Sequence, residues 1–80
     1  MEFTNIQPGT YQSKRFEFGT GYDSPPHIVG SIIGGAGVVS LAVNCAFQFA
    51  FIDAGGATVY LYNGSEFTIS IVRIDWIAIG

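Results

Sequence analysis

The sequence predicts an all-β domain, a single antiparallel β-sandwich of about six strands. Three observations point there. No long window places apolar residues at a spacing of 3.6, while eleven glycines and many β-branched and aromatic residues disfavour helix. Two long runs, Val39 to Ile52 and Phe67 to Gly80, alternate with a period of two. Each is preceded or followed by hairpin chemistry, Asp53-Ala54-Gly55-Gly56 and Asn63-Gly64-Ser65-Glu66, and Asn-Gly between strands is a strong short-range hairpin signal.

In chain order, a short strand is expected from Glu2 to Ile6, followed by a turn at Gln7-Pro8-Gly9-Thr10 and a strand from about Gln12 to Phe18. Gly19 to Pro26 reads as a loop, because its prolines lack donors and its glycines permit positive φ. A strand from His27 to about Ile33 leads into a turn at Gly34-Gly35-Ala36-Gly37. In the long run that follows, Val39, Leu41, Val43, Cys45, Phe47, Phe49 and Phe51 share one face, opposite Ser40, Ala42, Asn44, Ala46, Gln48 and Ala50. Ala57 to Tyr62 forms the next strand, with Tyr60 and Tyr62 on one face. The closing strand sets Phe67, Ile69, Ile71, Arg73, Asp75, Ile77 and Ile79 opposite Thr68, Ser70, Val72, Ile74, Trp76 and Ala78. Both of its faces carry large apolar groups, so both are expected to be covered, with Trp76 in the core. Two packed sheets hide such faces economically. One domain is expected over 1–80, with 1–11 an N-terminal strand and turn and 12–80 the core.

An 80-residue chain buries only roughly 62% of the surface that its unfolded form exposes. Yet the composition is 49% hydrophobic and only 11% charged, which points to surface lost between subunits. Net charge is −3 and the basic residues are Lys14, Arg15 and Arg73, too few to neutralise a run of phosphates, so nucleic acid is not an expected partner. Cys45 and His27 are too few for a four-ligand metal site, and no cofactor is expected. Cys45 reads as a core residue and His27 as a polar strand-start residue. The apolar stretch from Ile28 to Ile52 is broken by glycines and carries Asn44 and Gln48, which argues against membrane insertion as a helix. The start Met1-Glu2-Phe3-Thr4 lacks the basic and apolar regions of a signal peptide, so synthesis in a cytoplasm is expected.

Catalysis needs a nucleophile with its base, paired carboxylates or a metal cluster, and none of these is visible, so the chain reads as no enzyme. Neutral sugar recognition needs hydroxyl partners beside an aromatic face. Two stretches offer that mixture: Tyr62, Asn63, Ser65 and Glu66, and Tyr22, Asp23 and Ser24. Either is equally readable as an ordinary polar turn. Arg73 and Asp75 lie two apart on one face and read as a structural ion pair or a bridge between subunits, with Asn44 and Gln48 fitting a subunit contact.

The order of Lys14-Arg15-Phe16-Glu17-Phe18, then Tyr22-Asp23-Ser24-Pro25-Pro26-His27-Ile28-Val29, a long alternating strand, a glycine hairpin and Arg73-Ile74-Asp75-Trp76-Ile77-Ala78-Ile79-Gly80 resembles the H-type lectin domain and the related C-terminal receptor-binding domains of bacteriophage tail fibres. The resemblance covers about residues 12 to 80. It implies a six-stranded sandwich that assembles as a trimer and binds cell-surface glycans near subunit boundaries, partly through the loop before the final strand, here Asn63-Gly64-Ser65-Glu66. It also implies a location in a virion tail or outside the cell. Two departures stand out: Gly64 and Ser65 occupy the place where some of these lectins carry a Trp-His pair, and Val39 to Ile52 holds no Arg or Lys. The alternative implied is a structural fibre-tip domain that oligomerises without binding sugar.

Overall fold

The computed structural model of the protein describes residues 1–19, 21–33 and 45–80. Six strands run in the order β1 (Glu2–Ile6), β2 (Tyr11–Glu17), β3 (His27–Ile33), β4 (Cys45–Ala50), β5 (Gly56–Asn63) and β6 (Ile69–Ile79). They form two three-stranded antiparallel sheets, β1-β6-β3 and β2-β5-β4, and the described residues contain no helix. The molecule is elongated, 42 × 21 × 15 Å. The expected turn at Gly34-Gly35-Ala36-Gly37 and the first part of the expected strand from Val39, including Asn44, lie outside the described residues.

The core is where the inward rows of the two sheets meet. Phe3, Ile6, Ile69, Val72 and Ile74 come from one sheet and Val59 and Leu61 from the other, with Phe16, Ile32, Cys45, Phe47 and Phe49 packed around them. Full burial of such a side chain contributes about 1.5–3 kcal/mol. Trp76 lies between the sheets as expected, its ring 4.6 Å from that of Phe16 and 5.8 Å from that of Phe18. Gly30 faces Phe49 so closely that a Cβ there would lie 2.7 Å from the ring. Only glycine lets β3 carry the phenyl group of the opposite sheet. The turn between β1 and β2 closes through Thr10 N–H donating to Gln7 O at 3.3 Å, with Gly9 at φ 70° supplying the positive φ that a Pro-Gly turn of this kind requires.

Strict alternation fails at two places. In β6 the buried positions are Ile69, Val72 and Ile74, so Ile69 faces the core and not the side of Arg73 and Asp75. The same shift of one residue occurs in the paired strand between Phe3 and Ile6, where Asn5 takes φ 51°. The two strands change phase together, keeping Phe3 opposite Val72 and Ile6 opposite Ile69. The second failure is Phe51. Alternation assigns it to the inner face with Phe47 and Phe49, but it stands just past β4 at φ 51° and is 72% exposed.

The expectation that both faces of the last strand are covered holds on one side only in this single chain. Arg73 and Asp75 lie on the exposed side, with Nε and Oδ1 3.3 Å apart, together with Ile77 at 61% exposure and Ile79.

Candidate functional site

The two loops singled out in the sequence sit at opposite ends of the sandwich. The loop after β5 lies at the start of β6, whereas Tyr22 packs against Gly80 at its end. The eleven residues of β6 separate them by roughly 35 Å. They form no common site within one chain.

The first loop is tied inward. Asn63 is 0% exposed; its Nδ2 donates to Ile6 O at 2.9 Å and Phe67 O at 2.8 Å, and its Oδ1 accepts from Ser65 N at 2.9 Å and Ser65 Oγ at 2.7 Å. All four hydrogen-bonding positions of the carboxamide are thus filled. Ser65 Oγ also lies 3.0 Å from Phe67 O. Asn63 and Ser65 build the turn, leaving Tyr62 and Glu66 as the exposed members of the set. In the second loop, Tyr22 N–H donates to Ala54 O at 3.0 Å and its ring meets Phe18 edge-on at 5.6 Å, while Asp23 and Ser24 are exposed.

A better organised surface lies on the outer face of the β2-β5-β4 sheet. The register sets Tyr11, Tyr62 and Ala46 in one row, Ser13, Tyr60 and Gln48 in the next, and Arg15, Thr58 and Ala50 in a third. Their side chains alternate with the inward row of Ala57, Val59 and Leu61, so all stand outward. Tyr11 is 66% and Tyr62 45% exposed. The rings of Tyr11 and Tyr60 lie 5.9 Å apart with a tilt of 55°, and those of Tyr60 and Phe51 6.4 Å apart with a tilt of 54°. Beside the tyrosines runs an open groove of about 170 Å³ lined by Tyr11, Ala46, Phe47, Gln48, Tyr60 and Tyr62, with Phe51 standing outside its lining.

One end of this face is fixed by Arg15. Its Nη1 donates to Phe51 O at 3.0 Å, its Nη2 to Asp53 Oδ2 at 2.8 Å, and its Nε lies 3.6 Å from Glu17 Oε1. Asp53 Oδ1 accepts from the N–H groups of Gly55 and Gly56, each at 2.8 Å. The Gly55 N–H, then the Arg15 guanidinium and the Gly56 N–H, hold the Asp53 carboxyl below the usual carboxylate range. The hairpin signal Asp53-Ala54-Gly55-Gly56 therefore also anchors Phe51 beside Tyr60.

Of the expected residues, the structure brings Tyr62 and Gln48 together on this face, and Tyr60 joins them as alternation requires. Tyr11 was outside the expected strand, although its parity with Ser13 and Arg15 carries the signal. Phe51 carries none, because its outward position depends on a backbone conformation rare for a bulky residue.

The opposite outer face, on β3 and β6, is aliphatic: Val29, Ile33, Ile77 and Ile79 are exposed, and a hollow of about 230 Å³ lies among Val29, Gly30, Ser31, Asp75, Trp76 and Ile77. Arg73 and Asp75 sit within this face. Among the described residues, no three His, Cys, Asp or Glu side chains converge as metal ligands and no helix is long and apolar enough to cross a membrane. Cys45 is partly buried and its thiol is pushed up by desolvation, the opposite of what an activated nucleophile needs. No family model, curated protein or solved structure matches this chain.

Proposed function

We propose that the chain is a non-enzymatic carbohydrate-binding module that works as a homotrimer and recognises glycans on a cell surface, in the manner of a phage tail-fibre tip, and that it acts in a virion tail or outside the cell. The observation that carries the reading is the outer face of the β2-β5-β4 sheet, where Tyr11, Tyr60 and Tyr62 surround Gln48 and Ser13. Tyrosine combines an apolar ring for the C–H face of a sugar with a hydroxyl for its rim, and Gln48 offers both a donor and an acceptor. In this reading Gln48 belongs to the sugar site. Trimer contacts fall to the aliphatic face with Arg73 and Asp75, and Glu66, Asp23 and Ser24 remain exposed loop contacts. Individually weak sites repeated by symmetry gain factors of about 10² to 10⁴ by avidity where the geometry permits.

A broad glycan array that includes bacterial polysaccharides, probed with labelled protein, tests this. Saturable binding displaced by free sugar is the expected outcome; a blank array, repeated on intact cells, removes the proposal. The second reading is a structural fibre-tip domain that oligomerises without binding sugar. The exposed Val29, Ile77 and Ile79 favour it, since a face of that kind gains most from being covered. Under that reading Arg73→Glu disrupts assembly, and replacing Tyr62 and Glu66 by Ala changes nothing measurable on cells.

A further inference from the structure

Resting on the glycan-binding reading, we infer that the outer face of the β2-β5-β4 sheet takes an internal stretch of an unbranched, neutral glycan, and that Phe51 is the end of its aromatic platform. Three observations define the ligand. The first is shape. The groove of about 170 Å³ is smaller than the ~300–1,000 Å³ of sites that enclose a small molecule, and Tyr11 and Tyr62 stand open beside it. A surface of this kind stacks against a chain without enclosing its end. Tyr11, Tyr60 and Phe51 follow one another at 5.9 and 6.4 Å, a file longer than one pyranose ring.

The second observation is charge. The protein has three basic side chains, and residues 20 and 34–44 contain none of them. Lys14 donates to Glu2 O and lies 5.3 Å over the Phe3 ring, while Arg73 is on the opposite sheet beside Asp75. The cation left for the tyrosine face is Arg15, and it is bracketed by Asp53 and Glu17. A sialylated, sulfated or phosphorylated chain finds no free positive charge there. The same deficit argues against single-stranded nucleic acid, which also stacks on aromatic rings but needs a positive groove.

The third observation is Phe51. A phenylalanine in the left-handed region is strained, and strain of this kind persists where the surroundings over-determine it. Here the surroundings are the Arg15 hydrogen bond to the Phe51 carbonyl and the Asp53 turn. Their combined effect is to keep a ring out of the core and beside Tyr60.

The test is a binding series on the full chain, using unbranched neutral glucan, mannan and galactan oligosaccharides of graded length, their sulfated counterparts and a proline-rich peptide. Affinity is expected to rise with length until the file of rings is covered, to change little with salt, and to gain nothing from sulfation. Tyr60→Ala and Phe51→Gly are each expected to weaken binding by about 2- to 12-fold, the value of one aromatic contact. Because glycine accepts φ 51° without a Cβ clash, Phe51→Gly should hold or raise the urea midpoint while it lowers affinity, a pairing that a merely structural Phe51 does not produce. Length-independent binding of chain ends, salt-sensitive binding of sulfated chains, or wild-type affinity in Phe51→Gly overturns the inference. If glycans bind but only Glu66→Ala or Asp23→Ala abolishes binding, this inference falls and the glycan-binding reading stands. If only the peptide binds, or nothing does, both fall.

Discussion

The two outward faces of this sandwich are built on the same backbone geometry and finished with different chemistry. One carries tyrosines at positions 11, 60 and 62 with Ser13 and Gln48 among them; the other carries Val29, Ile33, Ile77 and Ile79 around an Arg73–Asp75 pair. A tyrosine can stay wet, since its hydroxyl is solvated while the ring is free to stack. An isoleucine gains only by losing water, at about 25 cal/mol per Å² of apolar surface covered. Burial values alone do not reveal the difference, since both faces carry exposed residues, Tyr11 and Tyr62 on one and Val29 and Ile77 on the other. Under the proposed function, the aromatic face would take a ligand that comes and goes, and the aliphatic face a copy of the chain that stays.

The comparison can be broken most violently on the aliphatic side. If the proposed oligomer and glycan site exist, Ile77→Asp should yield monomers in sedimentation velocity and lower apparent affinity for a glycan-coated surface by about 10²- to 10⁴-fold, while the affinity of one site for soluble sugar is unchanged. An equal loss in both assays would mean that the two faces are not separate devices. Next in size is Asn63, whose buried carboxamide joins β1 to the loop after β5. Asn63→Ala strands several buried partners and should lower unfolding free energy by about 3 kcal/mol in urea titration, at the upper end of the range for such a loss. Gly30→Ala should cost about 1–3 kcal/mol, because its methyl group meets the Phe49 ring between the sheets, and sugar binding should survive in the folded fraction.

The smallest effect sharpens the comparison by pH. The Asp53 carboxyl is held below its unfolded value, so its contribution is complete above that unfolded value and is lost as pH falls through the folded one. Acidification below about pH 4 should therefore loosen the Phe51 turn and weaken sugar binding modestly, with Asp53→Asn removing that pH dependence.

Much of this architecture was legible in the chain. The strands at Glu2–Ile6 and His27–Ile33 have the expected bounds, the Asp53 to Gly56 signal closes β4 onto β5 as a hairpin, and Trp76 packs inward as its parity requires. The expected hairpin at Asn63-Gly64 is not one: β5 and β6 lie in different sheets, and the turn carries the chain from one sheet to the other, tied by the buried Asn63 carboxamide. What was not legible came from backbone conformation and from partners distant in sequence. Asn5 and Phe51 both take positive φ, and each breaks a count of two that nothing in the local sequence interrupts. Asn63 reads as a ligand residue because it lies in a polar turn; only the arrival of Ile6 O and Phe67 O around it reveals a buried plug. The tyrosine face needed the register between β2 and β5, which alone sets Tyr11 opposite Tyr62.

The most direct test of the central claim is an NMR titration of the protein with a neutral, unbranched oligosaccharide, followed at the aromatic side chains. Saturable shifts are expected at the rings of Tyr11, Tyr60, Tyr62 and Phe51, with the rings of Tyr22 and Trp76 unmoved. Shifts confined to Tyr22 and its neighbours Asp23 and Ser24, or to Ser65 and Glu66, would contradict it.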